Sequence, residues 1–241
     1  MVDNISGTTD EIEQIKNKAS PDVFGDDVSS IPADKLAWRA WEWIDENLNV
    51  HYVPDGEDFI VCDGGVWRTD NEIIGELTAR LLTTSFKPSV LNEVRSYARN
   101  MNVVRRDELG VANGEIPFEN GVLNLETREL RDIEPEDYVI RPIPHEYDPA
   151  ASYRGTTFRG FMRDVVPDEE QRLTLQEFTG YLFVRGELPY QKAMMLVGEP
   201  AAGKGSFLRI VQKMLGEGTA RLSLAIRVRQ SVFDSPVLGG S

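Results

Sequence analysis

The sequence contains very little cysteine and histidine. Its 241 residues include one cysteine, Cys62, and two histidines, His51 and His145. A single cysteine excludes an internal disulfide, and these three side chains cannot supply the four-ligand sets that are usual in structural zinc sites. We therefore expect neither a disulfide framework nor a zinc centre, and we expect both histidines to be ordinary structural or surface residues.

Long apolar runs are also missing. The apolar run at residues 193–197 is far shorter than the roughly 20 residues of a membrane-spanning helix. Residues 1–4, Met-Val-Asp-Asn, do not show the basic-then-apolar order of a signal peptide. Hydrophobic residues make up 41% of the chain, enough for a sizeable core. The sequence therefore predicts a soluble, cytoplasmic chain of one large or two small domains, with no membrane contact.

Lysine is scarce, whereas acidic residues are abundant. The 26 basic residues comprise 19 arginines and 7 lysines, and the 40 acidic residues bring the net charge to −14. An acidic surface repels the phosphates of DNA. The composition also resembles that of proteins from salt-adapted (halophilic) microbes, and molar salt would screen this repulsion. Salt adaptation and an ordinary solvated acidic face both account for the charge, so acidity alone does not exclude a nucleic-acid partner.

The most informative stretch lies near the C-terminus, where an apolar run precedes a glycine-rich turn and an amphipathic helix. The run at residues 193–197 has the length of a strand, and Leu208, Val211 and Leu215 fall on one face of the predicted helix. Strand, turn and helix in this order are typical of a phosphate-binding loop. The residues of this phosphate loop are Gly198, Glu199, Pro200, Ala201, Ala202, Gly203, Lys204, Gly205 and Ser206.

The residue types of the phosphate loop suit the binding of ATP. Glycine at positions 198 and 203 allows backbone angles that turn successive N–H groups inward, which makes an anion site at a helix N-terminus. Lys204 would reach the β- and γ-phosphates, and a hydroxyl would hold Mg²⁺. In the motif G-x-x-x-x-G-K-[ST] that hydroxyl follows the lysine, whereas here Gly205 follows it and Ser206 comes next. Ser206 is therefore the candidate Mg²⁺ ligand, and the alternative is a simple glycine-rich turn with a solvated lysine.

The rest of the chain predicts small α+β elements. Residues 1–33 are mostly polar and predict a flexible arm that is mobile or loosely docked. A linker domain of helices and short antiparallel hairpins is expected over residues 34–150, with a strong hairpin signal at Asn120-Gly121. Residues 151–190 predict a helical connector whose second helix runs from Glu169 to about Arg185. Residues 191–241 would begin an α/β P-loop core, so the predicted fold class is an α+β linker region followed by an incomplete α/β P-loop NTPase core.

Two sets of side chains in the linker domain raise the question of nucleic-acid binding. Trp38, Trp41 and Trp43 lie on one predicted helix. Helical spacing separates them around the helix, so core packing is favoured over base stacking. Four arginines form a basic cluster beside Glu93, Asp107 and Glu108, which favours local ion pairs over contacts to a nucleic-acid backbone. These arginines are Arg95, Arg99, Arg105 and Arg106.

The order of landmarks along the chain resembles that of the phage, plasmid and poxvirus-type primase-helicases. The landmarks are residues 118–125 with Thr127, 135–138, 144–149, 158–161, 175–181 and the phosphate loop. The resemblance implies a viral, proviral or plasmid replication protein in which a superfamily 3 helicase ATPase follows this region. It also implies a homo-oligomeric ring, a hexamer, that binds single-stranded or forked DNA, hydrolyses ATP with Mg²⁺ to unwind DNA, and works beside other replication partners.

The chain departs from this family in its phosphate loop and at its C-terminus. The family often has Asn where this chain has Ala202, and Gly205 replaces the Ser or Thr. Residues 228–240 resemble the segment that leads toward the Walker B strand, so the acidic metal ligand, sensor and arginine finger would lie downstream. We therefore expect a fragment that binds ATP at most and contains no catalytic residue. A half-built sheet would expose apolar surface and promote self-association, with Met194, Leu196, Ile210 and Val211 as candidates.

Two other functions remain open from the sequence. The order glycine then hydroxyl after Lys204 also resembles the phosphate loop of adenylate-kinase-like enzymes, although those enzymes begin with the loop, whereas here it starts at residue 198. The chain could instead be a non-enzymatic adaptor whose hairpins and helices dock onto a replication partner. Transfer of phosphate to a nucleoside monophosphate would identify the kinase, and partner binding that survives loss of the loop would identify the adaptor.

Overall fold

The structure, a computed structural model, describes residues 10–25, 27–184 and 193–216. The helices are α1 (Asp10–Lys18), α2 (Ala33–Asn47), α3 (Ile73–Leu82), α4 (Pro88–Met101), α5 (Thr157–Val165), α6 (Glu169–Tyr181) and α7 (Lys204–Leu215). The strands are β1 (Val50–Val53), β2 (Asp58–Asp63), β3 (Val66–Thr69), β4 (Glu115–Phe118), β5 (Gly121–Asn124) and β6 (Leu130–Arg131). Strands β1–β3 form sheet A and strands β4–β6 form sheet B, both antiparallel in sequence order.

Sheet A is covered on both faces. Phe59 and Val61 of β2 point toward α2, α3 and α4 and join the main hydrophobic core, while Ile60 between them joins a second cluster with Trp67 and Val104. This alternation follows from the two-residue period of a strand. The chain after α4 closes the second face, and the indole Nε1 of Trp67 donates to the Pro135 carbonyl oxygen at 2.7 Å.

Helix α2 confirms the expected role of its central tryptophan. Trp41 is buried in the main core, and Trp43 is partly buried against the same core. Trp38 is 39% exposed, and its ring meets the Tyr97 ring edge-on with centroids 5.3 Å apart. Helical spacing therefore separates these side chains as expected, with Trp41 packed in the core and Trp38 half exposed.

The histidines and the cysteine occupy structural positions. The His51 ring contacts both Trp67 and Tyr138, with centroid distances of 5.0 Å and 5.5 Å, and burial lowers the pKa of His51. His145 contacts the Lys213 carbonyl oxygen through Nε2 at 3.2 Å. Cys62 is a free, half-buried thiol whose pKa is raised by burial. These contacts support the expectation of structural histidines.

The N-terminal segment differs from the predicted flexible arm. Within residues 10–25 and 27–32, Ile12, Phe24 and Val28 are buried in the main core beside α3. The Lys16 ammonium pairs with the Glu76 carboxylate at 2.9 Å. The prediction of loose docking is wrong for these residues, because a few widely spaced apolar side chains reach the core even though they form no long periodic pattern. Residues 1–9 of the predicted arm lie outside the described residues.

Sheet B confirms the predicted hairpin. The register pairs Phe118 with Gly121, so the turn consists of residues 119 and 120. Gly121 has φ +145°, and a Cβ there would collide with the Arg131 carbonyl oxygen of β6. A side chain is therefore excluded at this position by both backbone angle and space.

Helices α5, α6 and α7 pack around a smaller apolar cluster. Its buried members are Met162, Leu175, Phe207, Val211 and Leu215. Helix α6 ends at Tyr181, earlier than the predicted end near Arg185, and residues 185–192 lie outside the described part. None of the helices in the described residues is both long and apolar enough to cross a membrane.

Candidate anion-binding site

The phosphate loop leads directly into α7. Gly203 occupies the N-cap position in the left-handed region, with φ +81° and ψ −2°, and α7 begins at Lys204. The Phe207 amide donates to the Gly203 carbonyl oxygen at 3.0 Å, which closes the first helical turn. The first amides of a helix have no carbonyl a turn before them, so they point toward the loop and carry the positive end of the helix dipole. This geometry suits an anion.

Gly203 explains how the helical connector positions the phosphate loop. A Cβ at this residue would lie 2.7 Å from Cγ1 of Val165 and 3.4 Å from Cε2 of Phe161, both on α5. Only glycine permits this close approach together with a positive φ. Helix α5 therefore fixes where α7 begins, and with it the direction in which the first amides of α7 point.

The Lys204 side chain folds back over the phosphate loop. Its ammonium Nζ donates to the carbonyl oxygens of Gly198 at 2.8 Å and of Glu199 at 2.7 Å. An ammonium has three N–H donors, so one remains available to a ligand. The lysine therefore ties the start of the loop to its end while keeping a positive charge at the mouth of the site.

Two further backbone features shape the phosphate loop. The Ala202 amide donates to the Glu199 carbonyl oxygen at 3.3 Å, which makes a turn around Pro200 and Ala201. Ala201 has φ +63°, an uncommon angle for a residue with a side chain. Such strained angles cluster at binding and catalytic sites, and here the angle turns the chain at the rim of the site.

A cavity of 260 Å³ lies at this turn. It is lined by Ala201, Ala202, Gly203, Lys204, Gly205, Ser206 and Arg209. Of the nine predicted site residues, six line this cavity. Gly198 and Glu199 instead hold the lysine through their carbonyl groups, and Pro200 is exposed in the turn. Arg209 was not predicted, although its position four residues after Gly205 places it on the same side of α7.

Ser206 is exposed and offers a hydroxyl oxygen at the cavity. Oxygen ligands suit Mg²⁺, so the residue type fits its predicted role. No group of three His, Cys, Asp or Glu side chains that could hold a metal ion occurs within the described parts of the chain. Among those parts, the hydroxyl of Ser206 is therefore the candidate metal ligand that the phosphate-loop motif supplies.

The predicted strand before the phosphate loop is not a strand in the structure, and residues 193–197 pair with no strand among the described residues. Met194 and Leu196 pack on the α5–α7 cluster, whereas Met195 and Val197 are 85% and 86% exposed. Their alternation has the period of a strand. Val211 is buried, and Met194 and Leu196 pack inward. The prediction that these three side chains form an exposed apolar surface is therefore wrong.

The arginine cluster of the linker domain also differs from expectation. No carboxylate forms an ion pair with the guanidinium of Arg95, Arg99, Arg105 or Arg106 in the described residues, although the Arg105 backbone amide donates to the Glu108 carboxylate at 2.7 Å. Arg99 instead lies over the rings of Tyr52 and Phe59, with distances of 5.6 Å and 6.0 Å to their centroids. The expected ion pairs are therefore wrong, and cation–π contacts hold Arg99 against sheet A.

Comparison with known proteins locates a family in the first two thirds of the chain. A family model described as D5 N terminal like matches residues 37–167, more than half of the sequence. The match begins within α2, runs through α5, includes both sheets, and ends before the phosphate loop. No curated protein matches the chain.

Proposed function

The chain belongs to the D5 N-terminal-like family of phage and viral primase-helicases, and from this we propose that its phosphate loop binds ATP for a DNA helicase. The family is one of replication proteins. In this proposal, residues 193–216 belong to the first part of an α/β P-loop core, and residues 34–150 form the linker domain in front of it; the remainder of the predicted core segment 191–241 lies outside the described residues. The complete protein would work as a hexameric ring that binds single-stranded or forked DNA and unwinds the duplex.

The observation that carries the proposal is the position of Lys204. Its ammonium lies at the amino end of α7 and bridges the Gly198 and Glu199 carbonyl groups, beside a cavity of 260 Å³. The triphosphate would accept hydrogen bonds from this ammonium and from the amides that begin α7. A simple glycine-rich turn with a solvated lysine would not need the strained Ala201, the N-cap Gly203 and the folded lysine together.

The magnesium ion belongs to the same proposal. Ser206 would hold it through its hydroxyl oxygen, and the bound ion would neutralise charge on the phosphates. The residues of this chain bind and orient the nucleotide, and we assign no catalytic residue among them. ATP and Mg²⁺ are therefore the ligands that we propose for residues 198–206.

A binding measurement with Lys204→Ala tests the proposal. We expect the intact chain to bind a fluorescent ATP analogue in the presence of Mg²⁺, and the variant to bind about tenfold to a hundredfold more weakly, since a charge-assisted hydrogen bond is lost. Lys213→Ala is the matched control, because this exposed lysine lies farther along α7 and does not line the cavity. Equal binding by Lys204→Ala and the intact chain would refute the proposal, and transfer of phosphate from ATP to AMP would indicate a nucleotide kinase instead.

A further inference from the structure

Residues 95–106 carry four positive charges and no negative one. We call this stretch the arginine segment; it covers the second half of α4 and the chain that follows it. The whole chain has 40 acidic and 26 basic residues, yet no Asp or Glu occurs within this segment. None of its guanidinium groups forms an ion pair in the described part of the chain. These groups are those of Arg95, Arg99, Arg105 and Arg106.

Strand β1 brings the helical and the extended parts of the arginine segment together. The Tyr52 amide donates to the Asn102 carbonyl oxygen at 2.6 Å, and the Val104 amide donates to the Tyr52 carbonyl oxygen at 3.0 Å. From α4, Arg99 reaches the same residue of β1, because its guanidinium lies 5.6 Å from the centroid of the Tyr52 ring. The chain then continues into Arg105. The arginines of both parts therefore lie at one edge of sheet A.

The side chains at this edge alternate between the interior and the solvent. Val104 is 3% exposed and packs in the second cluster of sheet A, whereas Val103 before it is 45% exposed. Arg105 has extended backbone angles, φ −85° and ψ 155°, so its side chain lies on the same side as that of Val103. Met101 is 51% exposed. Apolar side chains thus reach the solvent in the same stretch as the exposed guanidinium groups of Arg99, Arg105 and Arg106.

The carboxylates that contact the backbone and the amides of this segment do not occupy its guanidinium groups. Glu108 accepts from the Arg105 backbone amide at 2.7 Å, and Asp45 accepts from the Asn102 side-chain amide at 2.6 Å. Nε of Arg95 is buried and has no hydrogen-bond partner in the described structure. A guanidinium has five N–H donors. The arginine segment therefore keeps donors and charge that contacts within the protein do not use.

The chemistry of this edge fits a single-stranded nucleic acid. Guanidinium groups match phosphate oxygens in pairs, and a single strand also presents unpaired bases, which stack on guanidinium planes and cover apolar side chains. In a duplex the faces of the bases are hidden, so the exposed Met101 and Val103 would gain no contact. The excess of acidic residues elsewhere repels phosphates, which confines the contact to the arginine segment.

We propose that the arginine segment is a binding surface for single-stranded DNA, with phosphates on Arg99, Arg105 and Arg106 and bases against Met101 and Val103. The inference rests on the proposed function only for the choice of DNA rather than RNA. It adds a DNA contact in the linker domain, on residues that are separate from the phosphate loop and require no ATP.

Fluorescence anisotropy with a labelled oligothymidylate of about 20 nucleotides, without ATP, tests this inference. Arg105→Gln combined with Arg106→Gln should weaken binding about tenfold at low salt, because two phosphate contacts are lost. The slope of log affinity against log salt should fall by about 0.7 for each arginine removed. Lysine at both positions keeps the charge and should restore most of the affinity. Arg154→Gln, which removes an exposed arginine outside the segment, should bind as the unchanged chain does.

Arg99→Gln extends the test to α4. This variant should weaken binding about fivefold or more, because it loses a phosphate contact. It also loses the contacts of the guanidinium with the rings of Tyr52 and Phe59, so a circular dichroism spectrum must show that it is folded. The variants at positions 105 and 106 make no such change, and they decide the matter if Arg99→Gln unfolds.

Three outcomes would overturn the inference. The first is equal oligothymidylate binding by the unchanged chain and by the double glutamine variant. The second is tighter binding of a duplex of the same length. The third is displacement of the oligothymidylate by polyglutamate at equal charge, which would indicate an acidic protein partner instead.

The proposed function is tested separately. Lys204→Ala should bind oligothymidylate as the unchanged chain does, since it alters only the phosphate loop. Loss of ATP binding in that variant together with DNA binding that ignores the arginines would leave the proposed function standing and overturn this inference. DNA binding that depends on the arginines, in a chain that binds no ATP, would do the reverse.

Discussion

The helices packed on sheet A and the helices around the phosphate loop bury their apolar side chains to different degrees. In the first region, Trp41, Ile44 and Leu77 belong to a large cluster whose members are almost all buried. In the second region, most of the apolar side chains around Met162 and Phe207 are only partly buried. The first region thus has a core of its own, whereas the second leaves apolar surface in contact with solvent. Hydrophobic burial stabilises in proportion to the area removed from water, so the described part of the second region is the less stable one.

The largest effect is expected in the core beside sheet A. Trp41→Ala should lower the free energy of unfolding by about 3–5 kcal/mol, because it removes a fully buried aromatic side chain and leaves a cavity. Trp38→Ala on the same helix should cost only about 1 kcal/mol, since Trp38 is half exposed and loses one edge-on contact with Tyr97. Denaturant titration measures both values. Similar losses for the two variants would contradict the difference in burial.

An intermediate effect is expected at the junction of α5 and α7. Gly203→Ala places a methyl group against Val165 and strains a backbone with φ +81°, which together should cost about 2–4 kcal/mol. The loss of stability should be confined to the second region. ATP binding should also weaken, because the substitution displaces the phosphate loop. Hydrogen exchange resolves the two regions. In Gly180→Ala, the matched control, the added methyl group meets no neighbour within 4 Å, and the helix should gain up to about 1 kcal/mol.

A smaller effect is expected at the ion pair that joins β6 to the segment after it. The Arg131 guanidinium donates to both oxygens of Asp137 at 2.7 Å and to Glu115 at 3.0 Å. The hydrogen bond from Arg131 is the largest cause that lowers the pKa of Asp137. Asp137→Asn should therefore cost about 1–2 kcal/mol at neutral pH.

The pH dependence of this pair has a definite sign. Because the pKa of Asp137 is lower in the folded chain, its stabilisation is complete above the ordinary aspartate pKa of 3.8 and is lost as the pH falls through the lowered value. The difference between the unchanged chain and Asp137→Asn should therefore shrink in acid. Glu93→Gln, which removes an exposed carboxylate without an ion pair among the described residues, is the control. A difference that persists at the lowest pH would contradict the assignment.

Sequence patterns predicted the helices and hairpins whose formation depends on residues close together in the chain. The helix predicted to carry Trp38, Trp41 and Trp43 is α2, and Asn120-Gly121 predicted the hairpin of sheet B. The docking of α1 was not predicted, because it depends on contacts between residues far apart in sequence. One example is the Arg80 guanidinium, which donates to the Lys16 carbonyl oxygen at 3.3 Å.

The sequence predicted the phosphate-loop motif of the candidate site, but it did not predict the second positive charge, Arg209, at the same cavity. The spacing from Gly198 to Lys204 indicated the loop without any structure. Arg209 was missed because its place at the cavity depends on the direction in which a helical side chain leans. The arginines near α4 were misjudged for a related reason, since neighbours in sequence such as Glu93 and Arg95 point away from each other on a helix.

The far end of α7 also makes contacts. A Cβ at Gly216 would lie 2.8 Å from Cδ of Pro144, and His145 contacts the Lys213 carbonyl oxygen. Phe118 of sheet B bridges to Ile143, next to this proline. A helix of 12 residues is a stiff rod about 18 Å long. Because α7 is stiff, a displacement of its first turn would be transmitted to its contacts with Pro144 and His145, beside sheet B.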